Sequence, residues 1–309
     1  MLIQLLNILG PITLITLIGY FLGRSSVGLQ SRTLSSLVIL VATPALVFNT
    51  LTSMDVDLGT IGQMAGAAIL SVAVGGAMAI VGLKLSGGSW RSYLPSLMLP
   101  NSGNMGLPLV VLAFGPEGIR LGISYFFTIA LIQYSVGLSI ASGSVRFRDM
   151  ARQPLLYAVA LVLLVTALRI PVPQVILKTT EILGGMMIPA MLILLGTSLA
   201  ALKVSDLAPA LAVAVGRLVI GLTAAVTVIY MLGLTGIAAG TVFLMATMPS
   251  AIVTYVFAER YQQTPTQVAG AVVMSTVLTF CCLPALVWIA LWVADGGTWV
   301  ALMSGSKAP

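Results

Sequence analysis

Leu99–Pro108, with the sequence LPNSGNMGLP, lies in the middle of an apolar stretch that is otherwise long enough to cross a membrane. The stretch runs from Ser92 to Gly115, and about 20 apolar residues suffice for a transmembrane helix. Because proline removes a backbone donor and glycine relaxes a helix, we expect the helix to break near its centre. Irregular backbone at that depth is tolerated only against protein or a water-filled cavity. The break is therefore a candidate binding site.

The composition of the chain is that of a polytopic membrane protein. Of its 309 residues, 59% are hydrophobic and 7% are charged, and the mean hydropathy is +1.12. Soluble domains carry about a quarter charged residues. The net charge of +6 comes from residues between apolar runs, so it indicates membrane orientation and not nucleic-acid binding. With no histidine and two adjacent cysteines, Cys281 and Cys282, the sequence predicts neither a metal site nor a disulfide framework.

Charges and Gly/Pro clusters divide the chain into ten predicted membrane spans: 2–22, 33–53, 60–83, 92–115, 119–141, 154–170, 178–201, 207–232, 236–258 and 267–293. The first span has neither a basic region before it nor a cleavage site after it, so we expect a retained helix and not a signal peptide. Nine basic residues follow odd-numbered spans: Arg24, Arg32, Lys84, Arg91, Arg146, Arg148, Arg152, Lys203 and Arg260. Four lie on the other side: Arg120, Arg169, Lys178 and Lys307. This bias predicts a multi-pass protein of the cytoplasmic (inner) membrane with both termini on the non-cytoplasmic side.

The two halves of the chain, 1–150 and 151–309, share local patterns. Pro44-Ala45 and Thr52-Ser53 recur 145 residues later (189 − 44 and 197 − 52) as Pro189-Ala190 and Thr197-Ser198. LMLPNS in the fourth span likewise corresponds to MATMPS in the ninth. Because each half has five spans, an odd number, the second half must enter the membrane in the opposite direction. The sequence thus predicts two inverted five-helix repeats, as in secondary transporters.

The ninth span contains the second predicted break, at Pro249. Two opposed broken helices would cross near the middle of the membrane, with the amino end of a half-helix at each break. Free N–H groups and the positive end of the helix dipole favour an anion there. An organic carboxylate fits such a site without a buried arginine.

Three segments carry a resemblance to a known family: PNSGNMGLPLVVLAFGPEG, MPSAIVTYVFAERY and VAGAVVMSTVLTFCCLPAL. The sequence resembles the bacterial branch of the auxin efflux carrier family over essentially its whole length. The resemblance implies a ten-helix fold similar to bile acid symporters and sodium–proton antiporters, with a scaffold of helices 1, 2, 6 and 7 and a moving transport domain of helices 3–5 and 8–10. Plant members export indole-3-acetate, and bacterial members are associated with dicarboxylates such as malonate and malate. The long mid-chain loop of the plant carriers is replaced here by the short segment 146–154.

The candidate substrate-binding residues lie at the two breaks and on the spans expected to face them. Amide and hydroxyl side chains beside a helix break can donate to a carboxylate, although capping of the half-helices is the alternative role. For the glutamine and tyrosine of the fifth span the alternative is interhelical hydrogen bonding, and for the scaffold residues it is ordinary packing around a kink. The predicted substrate-binding residues are Asn101, Ser102, Asn104, Met105, Ser250, Ala251, Thr254, Gln133, Tyr134, Phe48, Asn49 and Met191. The predicted helix-break residues are Pro100, Gly103 and Pro249, and the predicted scaffold kinks are Pro44 and Pro189.

One arginine, Arg217, lies inside the eighth span, where ionisable residues are costly. It is interpreted in three ways, as a counter-charge for an anion, as a snorkelling side chain, or as the partner of an acid such as Glu181. Neither break contains a carboxylate, which weakens coupling through a protein acid and leaves the coupling ion, H⁺ or Na⁺, open.

Together with what the resemblance implies, the sequence therefore predicts an elevator-like secondary carrier of a small mono- or dicarboxylate, without a cofactor and as a homodimer in the lipid bilayer. The alternative within the same fold is a sodium-coupled symporter of a bulkier organic acid. A channel is a more remote alternative. An intramembrane enzyme is disfavoured, since the sequence has no histidine, no evident nucleophile and base, and no paired acids at mid-membrane.

Overall fold

The computed structural model describes residues 2–25, 31–53, 58–145, 170–201 and 206–297, together with 157, 160, 161, 164, 165 and 168. These residues form helices and no named strand. Lipid offers backbone groups no hydrogen-bond partner, so apolar segments fold into helices that satisfy their own main chain. The helices are α1 (Leu2–Arg24), α2 (Ser31–Leu37), α3 (Thr43–Ser53), α4 (Leu58–Ser86), α5 (Trp90–Met98), α6 (Leu107–Ile132), α7 (Leu138–Ser142), α8 (Gln174–Gly185), α9 (Met187–Ala201), α10 (Leu207–Met231), α11 (Gly236–Thr247), α12 (Ile252–Arg260) and α13 (Pro265–Ala294). Short π-helical turns cover Val38–Ala42, Ser102–Gly106 and Gln133–Gly137.

Seven helical segments in the described part of the chain are long and apolar enough to cross a membrane. They are Ile3–Arg24, Thr33–Thr50, Gly59–Ser86, Ser102–Ser142, Gln174–Ala201, Leu207–Met231 and Pro265–Ala294. The protein is therefore an all-helical, multi-pass membrane protein.

The difference between seven segments and ten predicted spans has a local cause at three places. The second part of the fourth span and the fifth span are counted as one segment, but Gly115 has the non-helical φ/ψ of +61°/−143°, so two helices meet where the fourth span was predicted to end. The ninth span is divided into α11 and α12, each too short to cross a membrane alone. The sixth span, 154–170, lies mostly outside the described residues. The number of ten stays a prediction.

Helices α1 and α9 pack along each other at very close range. A Cβ atom at Gly196 would lie 2.1 Å from the carbonyl oxygen of Thr16, and one at Gly19 would lie 2.3 Å from the carbonyl oxygen of Ile193. Only glycine permits this approach of two helix backbones, as is usual for small residues at membrane helix interfaces. Helix α3 packs against α8, where Gly184 lies against the main chain of Leu46.

Helix α10 lies among α4, α5, α11 and α13. At Gly221 a Cβ atom would lie 2.7 Å from the carbonyl oxygen of Ala246, so α10 approaches the end of α11 closely. Arg217 is one turn earlier on the same helix and is brought to the same place. The division into a scaffold and a transport domain stays a prediction.

Candidate substrate site at the helix crossing

Two interrupted helices meet in the described structure. Helix α5 ends at Met98 and the next helical turn begins at Ser102, while α11 ends at Thr247 and α12 begins at Ile252. The backbone between them is extended, with φ/ψ of −101°/113° at Leu99 and −64°/132° at Ala251. Both interruptions fall where proline prevents helix continuation, at Pro100 and Pro249.

The two interruptions pair with each other through their main chains. Pro100 and Ser250 form an antiparallel bridge. The amide of Asn101 donates to the carbonyl of Pro249 at 2.7 Å, and the amide of Ala251 donates to the carbonyl of Leu99 at 3.0 Å. Each break thus supplies hydrogen-bond partners for main-chain groups of the other. Buried main-chain groups need such partners in an apolar environment.

Side chains from two further helical segments complete this pairing. The Gln133 amide Nε2 donates to the carbonyl of Pro100 at 3.0 Å, and the amide of Ser250 donates to Oγ of Ser275 at 3.1 Å. Gln133 therefore binds the break itself and does not depend on a substrate for a partner.

The hydroxyl groups of the second break are also used inside the protein. Ser250 Oγ donates to the carbonyl of Ser96 at 2.7 Å. Thr254 Oγ1 donates to the carbonyl of Ala251 at 2.7 Å and accepts from Ser96 Oγ at 3.1 Å. These bonds connect α5 to the second break, and a substrate would have to compete with them.

The first break, in contrast, carries buried polar groups without a partner among the described residues. They are the side-chain nitrogen Nδ2 of Asn101 and the hydroxyl of Ser102. Asn101 is 4% exposed and Ser102 is fully buried, and an unpaired buried polar group costs free energy. Asn104, two residues on, is half-buried. Asn101, Ser102 and Asn104 lie at the start of the helical turn Ser102–Gly106. The first N–H groups of this turn have no partner earlier in the helix.

Gly103 and Gly106 allow the first break to pack closely. A Cβ atom at Gly103 would lie 2.8 Å from the ring of Phe126, and one at Gly106 would lie 2.7 Å from the sulfur of Met245. Met105 and Ala251 are buried in the core around the crossing. The sequence pattern SGNMG is therefore a packing requirement as well as a helix-breaking one.

Arg217 is buried, 3% exposed, and reaches the crossing from α10. Its Nε donates to the carbonyl of Met248 and its Nη1 to the carbonyl of Leu97, both at 3.0 Å, and its Nη2 donates to the carbonyl of Ala246. The snorkelling interpretation is wrong, because the guanidinium is buried. The ion pair with Glu181 is also wrong, because Glu181 is exposed on α8 and all three guanidinium nitrogens donate to main-chain carbonyls.

A small cavity lies between Arg217 and the crossing. Only about 10 Å³ is accessible to the centre of a water molecule, which is room for roughly one water. Its lining includes Ser71, Pro100, Tyr125 and Arg217. An organic anion does not fit in this cavity.

The remaining predicted residues have ordinary packing environments. The rings of Tyr134 and Phe257 pack edge to face with centroids 5.9 Å apart. Met191 is buried on α9, a helix that contacts the turn at Ser102–Gly106. On α3, Phe48 is buried and Asn49 is half-buried. The scaffold prolines differ, since Pro44 is half-buried and Pro189 is exposed.

Sequence reasoning missed Ser96 and Ser275, whose hydroxyls join the network around Ser250. Serine in an apolar helix is common, so neither position carries a signal of its own. Among the described residues, no group of three or more Cys, Asp or Glu side chains is placed to hold a metal ion.

Two interrupted helices paired at a buried polar site are typical of membrane transport proteins. A family model described as "Membrane transport protein" matches residues 5–146 and 138–289. The chain belongs to this family, which is the auxin efflux carrier family indicated by the sequence motifs.

Two archaeal proteins are similar to the chain over much of its length. One, from Methanothermobacter thermautotrophicus, is described as an "Uncharacterized transporter". It is 30% identical over 268 residues, which are 82% of this chain and 87% of that protein. A second uncharacterized transporter, from Methanocaldococcus jannaschii, is 27% identical over 207 residues, which are 63% of this chain and 65% of that protein.

Proposed function

We propose that this protein is a secondary carrier that binds a small organic anion at the helix crossing and moves it by alternating access. The observation that carries the proposal is the pair of unpaired, buried groups Asn101 Nδ2 and Ser102 Oγ at the amino end of a half-helix. An amide N–H₂ and a hydroxyl can both donate to a carboxylate. The positive end of the helix dipole adds to the attraction of an anion.

The two breaks contribute unequally to the proposed site. The hydroxyls of Ser250 and Thr254 already donate to main-chain carbonyls. In contrast, the side-chain donors Asn101 Nδ2 and Ser102 Oγ have no partner within the described chain. We therefore assign substrate contact to Asn101, Ser102 and Asn104. Ser250, Thr254 and Gln133 hold the crossing in place beneath them.

The proposed movement is elevator-like, with the crossing carried as one body past the helices around α9. The direct main-chain pairing of the two breaks supports this, because opening them separately would leave backbone groups unpaired. Within the same proposal the chain forms two inverted five-helix repeats and acts as a homodimer in the cytoplasmic membrane, with both termini outside the cytoplasm.

Thermal unfolding of the purified protein with a panel of carboxylates tests this function. The panel contains acetate, pyruvate, malonate, malate and indole-3-acetate, with glycerol as the uncharged compound. We expect a saturable rise in melting temperature with at least one carboxylate, since a ligand at 100 times its Kd stabilises by about 2.7 kcal/mol. The rise should be absent in Asn101→Ala.

The matched control is Thr241→Val. Thr241 is fully buried on α11 and its hydroxyl is also unpaired within the described structure, but it lies within the helix, six residues before its last residue Thr247, and not in either break. We expect this variant to respond like the wild type. The proposal fails if no carboxylate raises the melting temperature, or if Asn101→Ala responds fully.

Uptake into proteoliposomes with and without sodium then separates the carrier from its alternatives. Saturable counterflow of the labelled carboxylate identifies a carrier and argues against a channel. Uptake that requires sodium would instead favour the symporter of a bulkier acid.

A further inference from the structure

Arg217 joins the carboxyl ends of both interrupted helices. Leu97 is the second-last residue of α5, Ala246 is the second-last residue of α11, and Met248 follows α11 directly. The guanidinium donates to the carbonyls of all three. A planar group with donors in a fixed fork can span two helix ends in this way, whereas the compact ammonium of lysine cannot.

The charges of these groups balance at the carboxyl ends. A helix end carries roughly half a negative elementary charge, so two carboxyl ends together neutralise one guanidinium. All three of the guanidinium's hydrogen-bond acceptors are main-chain carbonyls, and none is a carboxylate. A buried arginine within a membrane needs this kind of compensation.

Arg217 compensates the carboxyl ends only, and not the amino ends of the continuing half-helices. They begin at Ser102 and Ile252 and carry roughly half a positive charge each. Arg217 donates to the carbonyl of Met248, and only one residue lies between Met248 and Ser250, which forms the bridge with Pro100. The same small cavity is lined by Arg217 and Pro100, so the arginine directly adjoins the crossing.

We propose that Arg217 is a positioning residue of the anion site, acting as a built-in cation held by three main-chain carbonyls. It keeps the two carboxyl ends together and cancels their negative charge, so that the site at Asn101 and Ser102 has a net positive potential. This inference rests on the proposed function for its second part only. Its first part concerns a cation-binding pocket of carbonyl groups, which a free guanidinium ion should occupy when the side chain is removed.

The first experiment measures the melting temperature of Arg217→Ala in millimolar guanidinium, far below denaturing concentrations. We expect the variant to melt below the wild type and to recover with a saturable dependence on guanidinium, because a ligand that binds only the folded state stabilises it. Urea and tetramethylammonium should give no recovery, since the first is uncharged and the second has no N–H donor. Arg24→Ala is the matched control, because Arg24 is exposed and contacts Tyr20. Absence of a saturable guanidinium effect in Arg217→Ala overturns the proposal.

The second experiment compares Arg217→Lys with Arg217→Gln, and it also serves if Arg217→Ala does not fold. Both variants lose the fork geometry and should melt below the wild type. Only lysine keeps the charge, so malonate should bind Arg217→Lys roughly tenfold more tightly than Arg217→Gln. Equal malonate affinity in the two variants overturns the electrostatic part of the proposal. A purely structural role of Arg217 would instead make the malonate affinity follow the melting temperature.

The outcomes distinguish this inference from the proposed function. If malonate and the other carboxylates do not bind the wild type, the proposed function fails, while guanidinium recovery of Arg217→Gln or Arg217→Ala still tests the carbonyl pocket. If the carboxylates bind and depend on Asn101, but guanidinium has no effect, the function stands and the inference on Arg217 is wrong.

Discussion

The main-chain amide of Asn101 lies 2.7 Å from the carbonyl of Pro249 and donates a hydrogen bond to it. The second half of the chain thus positions Asn101 by a hydrogen bond to the backbone of this residue. Its side chain takes no part in this bond. A mutation at residue 101 can therefore remove the side-chain amide and keep the backbone hydrogen bond that positions the residue.

Asn101→Ala and Asn104→Ala should abolish carboxylate uptake while leaving expression and folding close to the wild type. Alanine keeps the amide that donates to Pro249, and the Asn101 Nδ2 group that is removed has no partner in the described structure. Ser102→Ala should behave in the same way. Proteoliposome uptake and thermal unfolding of the same preparations check this. Unchanged uptake in both asparagine variants would place the site elsewhere.

Ser250→Ala should reduce stability by about 1 kcal/mol, because the buried carbonyl of Ser96 loses its donor. The measurement is the melting temperature in detergent. Thr223→Val is the control, because its exposed hydroxyl bonds only within its own helix. A Ser250→Ala protein as stable as the wild type would show that the bond to Ser96 does not hold the crossing.

Gln133→Leu should both destabilise the protein and reduce uptake. The carbonyl of Pro100 loses its donor, and an unsatisfied buried acceptor costs about 1–3 kcal/mol. The nearby variant Ser135→Ala loses a hydroxyl that bonds only to Leu131 and Ile132 in its own helical segment, and it should match the wild type in both measurements. Equal behaviour of the two variants would contradict the role assigned to Gln133.

Gly196→Ala should strongly reduce the yield of folded protein. The added methyl would lie 2.1 Å from the carbonyl of Thr16, and backbone atoms cannot yield without separating α1 from α9. Overpacking of this kind costs about 1–3 kcal/mol or more. Size-exclusion profiles and melting temperatures measure the effect. Gly66→Ala, where nothing lies within 4 Å, is the control and should fold normally.

Helix positions could be predicted from the sequence because membrane helices are defined by apolar length and by the charges that flank them. The eighth span, predicted over 207–232, is observed as Leu207–Met231. The interruptions at Pro100 and Pro249 were predictable for a similar local reason, since proline has no N–H to donate within a helix. The end of the fourth span at Gly115 was predictable as well, since a glycine beside Pro116 favours a break, and Gly115 has non-helical φ/ψ.

The partners of polar side chains could not be predicted in the same way. The i, i+4 spacing puts Ser250 and Thr254 on one face of the ninth span and predicts that one of them faces the cavity, but their hydroxyls bond to Ser96 and Ala251. The acceptors of Arg217 are main-chain carbonyls, which every residue has, so no sequence pattern marks them. Such partners depend on how helices distant in sequence come together.

The antiparallel bridge between Pro100 and Ser250 has an evolutionary consequence, because main-chain hydrogen bonds are indifferent to the side chains beside them. Under the proposed function, substitutions of the side chains of Asn101, Ser102 and Asn104 would alter which solute is recognised and would leave the main-chain junction intact.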